Sequence, residues 1–176
     1  MNKYSIRDFL DCELSQHASS FKQTSYDETN DEYVCRDEST DHVYDFDAYV
    51  RTKHDASQLP ASPDAIHVGS KHVYFVEFKN QRAGEIKKEN IQKKLTAGTG
   101  ILQNLLSEFY PRDCNYNFCV VFQSQKKPRF FDSRHIEQSV VHFELDALNA
   151  QFNHFYDQIF TEDVRFFAEQ FKELRC

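Results

Sequence analysis

Apolar and polar residues alternate most regularly between positions 62 and 81, SPDAIHVGSKHVYFVEFKNQ. Two short apolar runs flank Gly69-Ser70, a pattern that predicts a β-hairpin with Asp64 opening its first strand and His72 to Lys79 forming its second. Side chains on a strand change faces with period two, so Glu77 and Lys79 share one side while Val76 and Phe78 share the other. Closing the hairpin returns Asp64 to the neighbourhood of Glu77 and Lys79. Three ionisable groups are thereby expected at one end of a strand pair.

The flanking pattern supplies further elements. Residues 5–22 carry Ile6, Phe9, Leu10, Leu14 and Phe21 near helical spacing and predict an amphipathic helix that contains Glu13. Residues 23–42 are polar, acidic and aperiodic, which predicts a loop with one short strand at Tyr33 to Arg36 and with Glu28 and Glu32 available beside Glu13. From 43 to 53, Tyr44, Phe46, Ala48 and Val50 alternate with Asp45, Asp47 and Tyr49, as in a strand. The two aspartates either join the site or line a wet sheet face. Turn-rich residues 54–63 follow, and Pro63 favours an extended entry to the hairpin.

Downstream, residues 85–110 predict one long helix, or two joined near Gly98-Thr99-Gly100, with Ile86, Ile91, Leu95, Leu102, Leu105, Leu106 and Phe109 as the buried stripe. Lys87, Lys88, Lys93 and Lys94 flank that stripe. Residues 115–124 predict a central strand leading into the basic turn QKKPR, 139–145 another short strand, and 150–174 a C-terminal helix with a broad aromatic face. The helix entry makes Arg82, Lys87 and Lys88 candidates for phosphate contact, with Gln92 within reach; Lys126, Lys127 and Arg129 form a second basic patch.

A length of 176 residues suits one domain, and 17 Phe and 9 Tyr with only 4 Gly and 4 Pro favour a compact α/β or α+β protein over disorder. No apolar run approaches the roughly 20 residues of a membrane span, and MNKYSIRDFL does not resemble a signal peptide. Five cysteines without a C-x-x-C pair are read as free thiols, so a cytoplasmic location is expected. The net charge of -7 weighs against a nucleic-acid binder, but its distribution is uneven. Residues 1–66 hold 14 Asp/Glu against 6 Lys/Arg, net -8, whereas residues 67–135 hold 6 against 12, net +6. A basic segment beside a carboxylate pair suits a phosphodiester substrate, with cations for the backbone and a metal where the bond breaks. Solvated helix faces are the alternative for any one of these lysines.

Mg²⁺ takes oxygen ligands and keeps several waters, so Asp64, Glu77 and the backbone carbonyl of Phe78 form a suitable set, with Mn²⁺ as a substitute. Lys79 on the same face can orient or deprotonate a water and offset charge on phosphorus. Ser62-Pro63-Asp64, then 12 residues, then Glu77-Phe78-Lys79 resembles the PD-(D/E)xK nuclease superfamily. The resemblance implies a restriction-endonuclease-like fold over about residues 5–125 of a single domain, a mixed central sheet flanked by helices. It also implies Mg²⁺-dependent phosphodiester hydrolysis of nucleic acid, DNA ahead of RNA. Asp64 and Glu77 would be metal ligands, Lys79 the catalytic lysine, Glu13 the acidic residue of the first helix and Gln92 the glutamine of the later one. A homodimer would let a duplex be cut on both strands. The other expectation is a non-catalytic interaction module whose acidic first third covers a basic protein partner.

Overall fold

The computed structural model describes residues 4–123, 143–170 and 174–176. Helix α1 (Ile6–Leu14) buries Ile6, Leu10 and Leu14 and starts at Ser5, whose hydroxyl accepts from the Asp8 N–H. The expected single helix over 5–22 is divided. A short 3₁₀ turn follows α1, and α2 (Phe21–Thr24) starts anew because Ser20 is extended and caps it with its own hydroxyl. Two minimal strands, β1 (Tyr26–Asp27) and β2 (Glu32–Tyr33), pair as a small hairpin, in place of the strand expected at Tyr33 to Arg36.

The strand expected over 43–53 is also corrected. β3 (Val43–Asp45) stops after three residues and α3 (Phe46–Lys53) begins at once. Asp45 causes the switch, since its carboxylate accepts from the Ala48 N–H at 2.7 Å and caps the helix. Asp47 lies in the first turn, pairs with Arg51 one turn on, and accepts from Ser62 at 2.7 Å. Asp45 ends β3 opposite Ala65 with its carboxylate turned to the helix cap, and Asp47 lies in α3, outside the sheet.

The hairpin consists of β4 (Ala65–Val68) and β5 (His72–Lys79), antiparallel, with Ala65 opposite Val76. Helix α4 (Lys88–Leu105) is one continuous element through Gly98 and Gly100, and it returns the chain to β6 (Asn115–Phe122), parallel to β5. The C-terminal helix expected over 150–174 is replaced by α5 (Leu145–Gln151), β7 (Gln158–Asp163) and α6 (Val164–Gln170). Asn153 and His154 have φ of 54° and 53°, which ends α5, and the Asn149 side chain clasps the Tyr156 backbone through both its oxygen and its nitrogen. β7 then adds to β6 in parallel. Of the strand expected over 139–145, residues through 142 lie outside the described residues.

The result is a mixed α/β fold around a five-stranded sheet in the order β3-β4-β5-β6-β7. Both sheet faces are covered. Val73, Phe75, Phe118 and Val120 pack with Ile6 and Leu10 of α1 and with Ile91, Leu95 and Leu102 of α4. Val76, Phe78, Cys119 and Val121 pack with Phe21 of α2 and with Phe167 of α6 on the other face. Among the described residues no helix is long and apolar enough to cross a membrane.

Helix α4 approaches the sheet closely at one point. A Cβ at Gly98 would lie 2.8 Å from Cδ of Pro63, the residue before Asp64, whereas one at Gly100 would meet nothing within 4 Å. Gly98→Ala is therefore expected to lower stability in urea unfolding: overpacking of about 1–3 kcal/mol exceeds the roughly 1 kcal/mol gained in helix propensity. Gly100→Ala collects that gain without the clash and is expected to be stabilising.

Candidate functional site

Asp64 is fixed from two directions. Its carbonyl accepts from the Phe46 N–H at 3.1 Å, and the Ser62–Asp47 bond ties the preceding loop to the first turn of α3. One step beyond the Ala65–Val76 pair, Asp64 stands across from Glu77, so the two carboxylates share the sheet face that α4 covers. The Asp64 carboxylate accepts from the Phe78 N–H at 2.7 Å. Strand geometry then turns the Phe78 carbonyl off the same edge of β5, past the end of β4.

Glu77 has no exposed surface, and Lys79, two residues on, places its ammonium 2.6 Å from Oε1. The structure thus brings Asp64, Glu77 and Lys79 together. It also brings Lys94, which the sequence showed only as a flank of the α4 stripe. Lys94 Nζ lies 2.9 Å from Asp64 Oδ1 and 2.7 Å from Glu77 Oε2, and its side chain is 23% exposed. Lys94 donates to Asp64, and Glu77 meets one ammonium at each oxygen, Lys79 at Oε1 and Lys94 at Oε2.

Burial, and then the neighbouring Asp64 charge, push the Glu77 carboxyl up to about 7, against the two lysines that favour its ionised form. Burial opposes the charge on Lys94, but Asp64 and Glu77 outweigh it and hold the ammonium well above the ordinary lysine value.

The remaining sequence candidates are placed as follows. Glu13 accepts from Lys53 at 2.9 Å and Tyr49 at 3.2 Å, both on α3, and the hydrogen bond from Lys53, against some burial, lowers its pKa. Gln92 donates to the Phe143 carbonyl at 3.0 Å, and Lys88 pairs with Glu144 at 2.6 Å, so both tie α4 to the chain entering α5. Arg82 and Lys87 are exposed, and Lys87 lines a cleft of about 640 Å³ whose wall includes Asp64, Phe78 and Lys79. Lys126, Lys127 and Arg129 lie outside the described residues.

The cleft has an acidic rim. Asp27, Glu28 and Asn30 of the β1–β2 hairpin face it with Glu85 and Asn90, and Asn80 donates to Glu32 at 3.1 Å to tie that hairpin to the end of β5. The acidic β1–β2 hairpin is thus folded over the site rather than away from it. Nothing in the local sequence pattern announces this long-range placement.

Among the described residues no group of three or more His, Cys, Asp or Glu side chains is placed to hold a metal ion. Asp64 and Glu77 are nonetheless a hard-oxygen pair of the size Mg²⁺ uses, since that ion is held by one or two carboxylates with water and substrate completing its shell. The buried Glu77 carboxylate, whose oxygens face only the two ammonium groups and Asp64, fits that demand, as does the Phe78 carbonyl at the same edge. No protein-family model, curated protein or solved structure matches the chain.

The raised Glu77 pKa sets a pH dependence. Unfolded, Glu77 ionises near 4.5, while the folded protein keeps its proton up to about 7, so the folded state binds more protons in between. Stability in metal-free buffer is expected to fall as pH rises through that window, by up to roughly 3 kcal/mol at about 1.4 kcal/mol per unit. Glu162, raised to about 7 by burial and then by Asp163, slopes the same way. Urea unfolding at stepped pH values should show the decline, and Glu77→Gln should remove the Glu77 contribution and leave that of Glu162.

Proposed function

We propose that this protein is a small Mg²⁺-dependent nuclease of the PD-(D/E)xK type with a restriction-endonuclease-like fold, acting on nucleic acid, DNA ahead of RNA, in the cytoplasm. One observation carries the reading: oxygens of Asp64 and Glu77 lie within 2.9 Å of a single cationic nitrogen, with the Lys79 ammonium 2.6 Å from the same Glu77. Two carboxylates gathered around one positive position, beside a lysine that opens to a cleft, are what phosphodiester hydrolysis requires of a protein.

In this reading Asp64 and Glu77 hold the divalent ion with the Phe78 carbonyl, and the ion supplies Lewis acidity toward a phosphoryl oxygen and a more acidic water. Lys79 is 24% exposed, so its ammonium can donate to a phosphate oxygen while Glu77 holds it in place. Orienting the attacking water is its second task. Lys87 on the cleft wall and Arg82 beyond it are the described cations available to the backbone of the substrate. Asp27, Glu28 and Glu85 line the same cleft and repel phosphates, which these cations have to offset.

The acidic rim and the ammonium of Lys94 between the carboxylates favour a second reading, a non-catalytic module that binds a basic protein through residues 23–42. Incubation with plasmid, linear and single-stranded DNA and with RNA, in Mg²⁺, Mn²⁺ or chelator, separates the two. Cleavage that needs the divalent ion, and that drops by about 100-fold or more in Asp64→Ala, Glu77→Ala and Lys79→Ala, is expected. Absence of cleavage on every substrate would favour the interaction module, and equal cleavage by the folded variants would overturn the roles given to Asp64, Glu77 and Lys79.

A further inference from the structure

Lys94 holds a place that a divalent ion would need. Its Nζ touches Asp64 Oδ1 at 2.9 Å and Glu77 Oε2 at 2.7 Å, and an Mg²⁺ bonded to both oxygens at about 2.1 Å would overlap it. The two cations exclude each other by contact as well as by charge. In the structure as it stands, Asp64 and Glu77 already face two ammonium groups, those of Lys79 and Lys94. Adding two positive charges to that set would leave two cations side by side in a largely buried space, an arrangement that water cannot screen.

Lys94 also has somewhere to go. Asn90 precedes it on α4 by four residues, one turn along the same helix face, and lines the cleft together with Lys87, the residue before the helix. A rotation about its flexible stem carries the ammonium along that face to water.

The geometry points to Lys94 as an exchangeable counter-ion: it fills the divalent-ion position while the metal is absent and gives way to the cleft when the metal binds. This rests on the divalent-ion reading of the Asp64–Glu77 pair and not on catalysis. Two consequences follow for the same residue. Without metal, Lys94 keeps the two carboxylates gathered around one position, so the site is shaped in advance. With metal, it becomes an additional cation on the cleft wall beside Lys87, where a phosphate backbone would pass.

Mn²⁺ binding, followed by calorimetry and by the spin-resonance signal of the free ion, tests this without any substrate. Lys94→Met keeps the length and removes the charge. It is expected to bind Mn²⁺ at least about 10-fold more tightly than the wild type, because no side chain has to leave. Its thermal midpoint in chelator should fall below that of the wild type, and Mn²⁺ should raise that midpoint by more than it does in the wild type. A variant that is unfolded in chelator and folds on adding Mn²⁺ supports the exchange equally. Equal or weaker Mn²⁺ affinity in Lys94→Met, no binding by either protein, or a variant that stays unfolded with Mn²⁺ would overturn it. Wild-type cleavage is scored separately. Cleavage with unchanged Mn²⁺ affinity in the variant sinks the role of Lys94 alone, and tighter binding without wild-type cleavage sinks the nuclease reading alone.

Discussion

A carboxylate with no exposed surface is the constraint on which this structure turns. Glu77 sits in the third of five strands, in one cross-sheet row with Val120 and Thr161, where an unpaired charge would cost several kcal/mol. Its partners are few and each depends on a different element. Lys79 comes from the same strand two residues on, and Lys94 reaches it only because α4 lies across that sheet face. The close passage of α4 is made possible by Gly98, whose missing Cβ leaves room for the Pro63 ring. Asp64 is held by the first turn of α3 and by the Phe78 N–H. Helix entry, strand register and helix crossing therefore all serve one buried charge.

The two faces of the sheet divide the work. The face under α1, α3 and α4 carries Asp64, Glu77 and Lys79 at one end of an otherwise apolar layer, while Phe78, Val76 and Val121 anchor the opposite layer. Because β5 pairs along its whole length with β6, the position of Glu77 relative to Phe78 is fixed by the ladder and not by loop packing. Loop packing enters at the rim. The β1–β2 hairpin brings Asp27 and Glu28 to the cleft and is moored by Glu32 to Asn80, the residue after Lys79. Any polyanion reaching the floor must pass this acidic hairpin, so the cleft is more selective in electrostatics than the positive middle third of the chain suggests.

The convergence of Asp64, Glu77 and Lys79 was legible because it depends on period-two alternation and one hairpin, both local. The α3 helix was not, since Phe46, Ala48 and Val50 alternate as a strand would, and only the Asp45 side chain bonding to Ala48 decides for a helix. The chain after 150 misled for a related reason. Its aromatic spacing suits a helix, but left-handed backbone at Asn153 and His154 breaks it and frees Gln158–Asp163 to join β6. Lys94 escaped notice on different grounds. A lysine beside a helical stripe usually points to water, and its turn toward Glu77 is set by how α4 crosses the sheet, which no local pattern encodes. Glu13 and Gln92 were reasonable by position, yet their side chains bond α3 and the Phe143 carbonyl.

Energetics bears on why such a cluster exists at all. A buried ion pair rarely stabilises a fold more than apolar side chains of the same volume, and exchange for such residues is often neutral or favourable. The Asp64, Glu77, Lys79 and Lys94 cluster adds to that cost a Glu77 carboxyl pushed up to about 7 by burial and by Asp64. Folding alone gives no reason for four charges at the end of a β-hairpin whose neighbours are Ile66, Phe75 and Val120. Under the proposed reading a divalent ion would change the balance, because it would compensate both carboxylates at once and release one lysine to the cleft. The strain in the metal-free cluster is thus the same free energy that would favour metal, which makes a divalent-ion site the economical explanation for the arrangement.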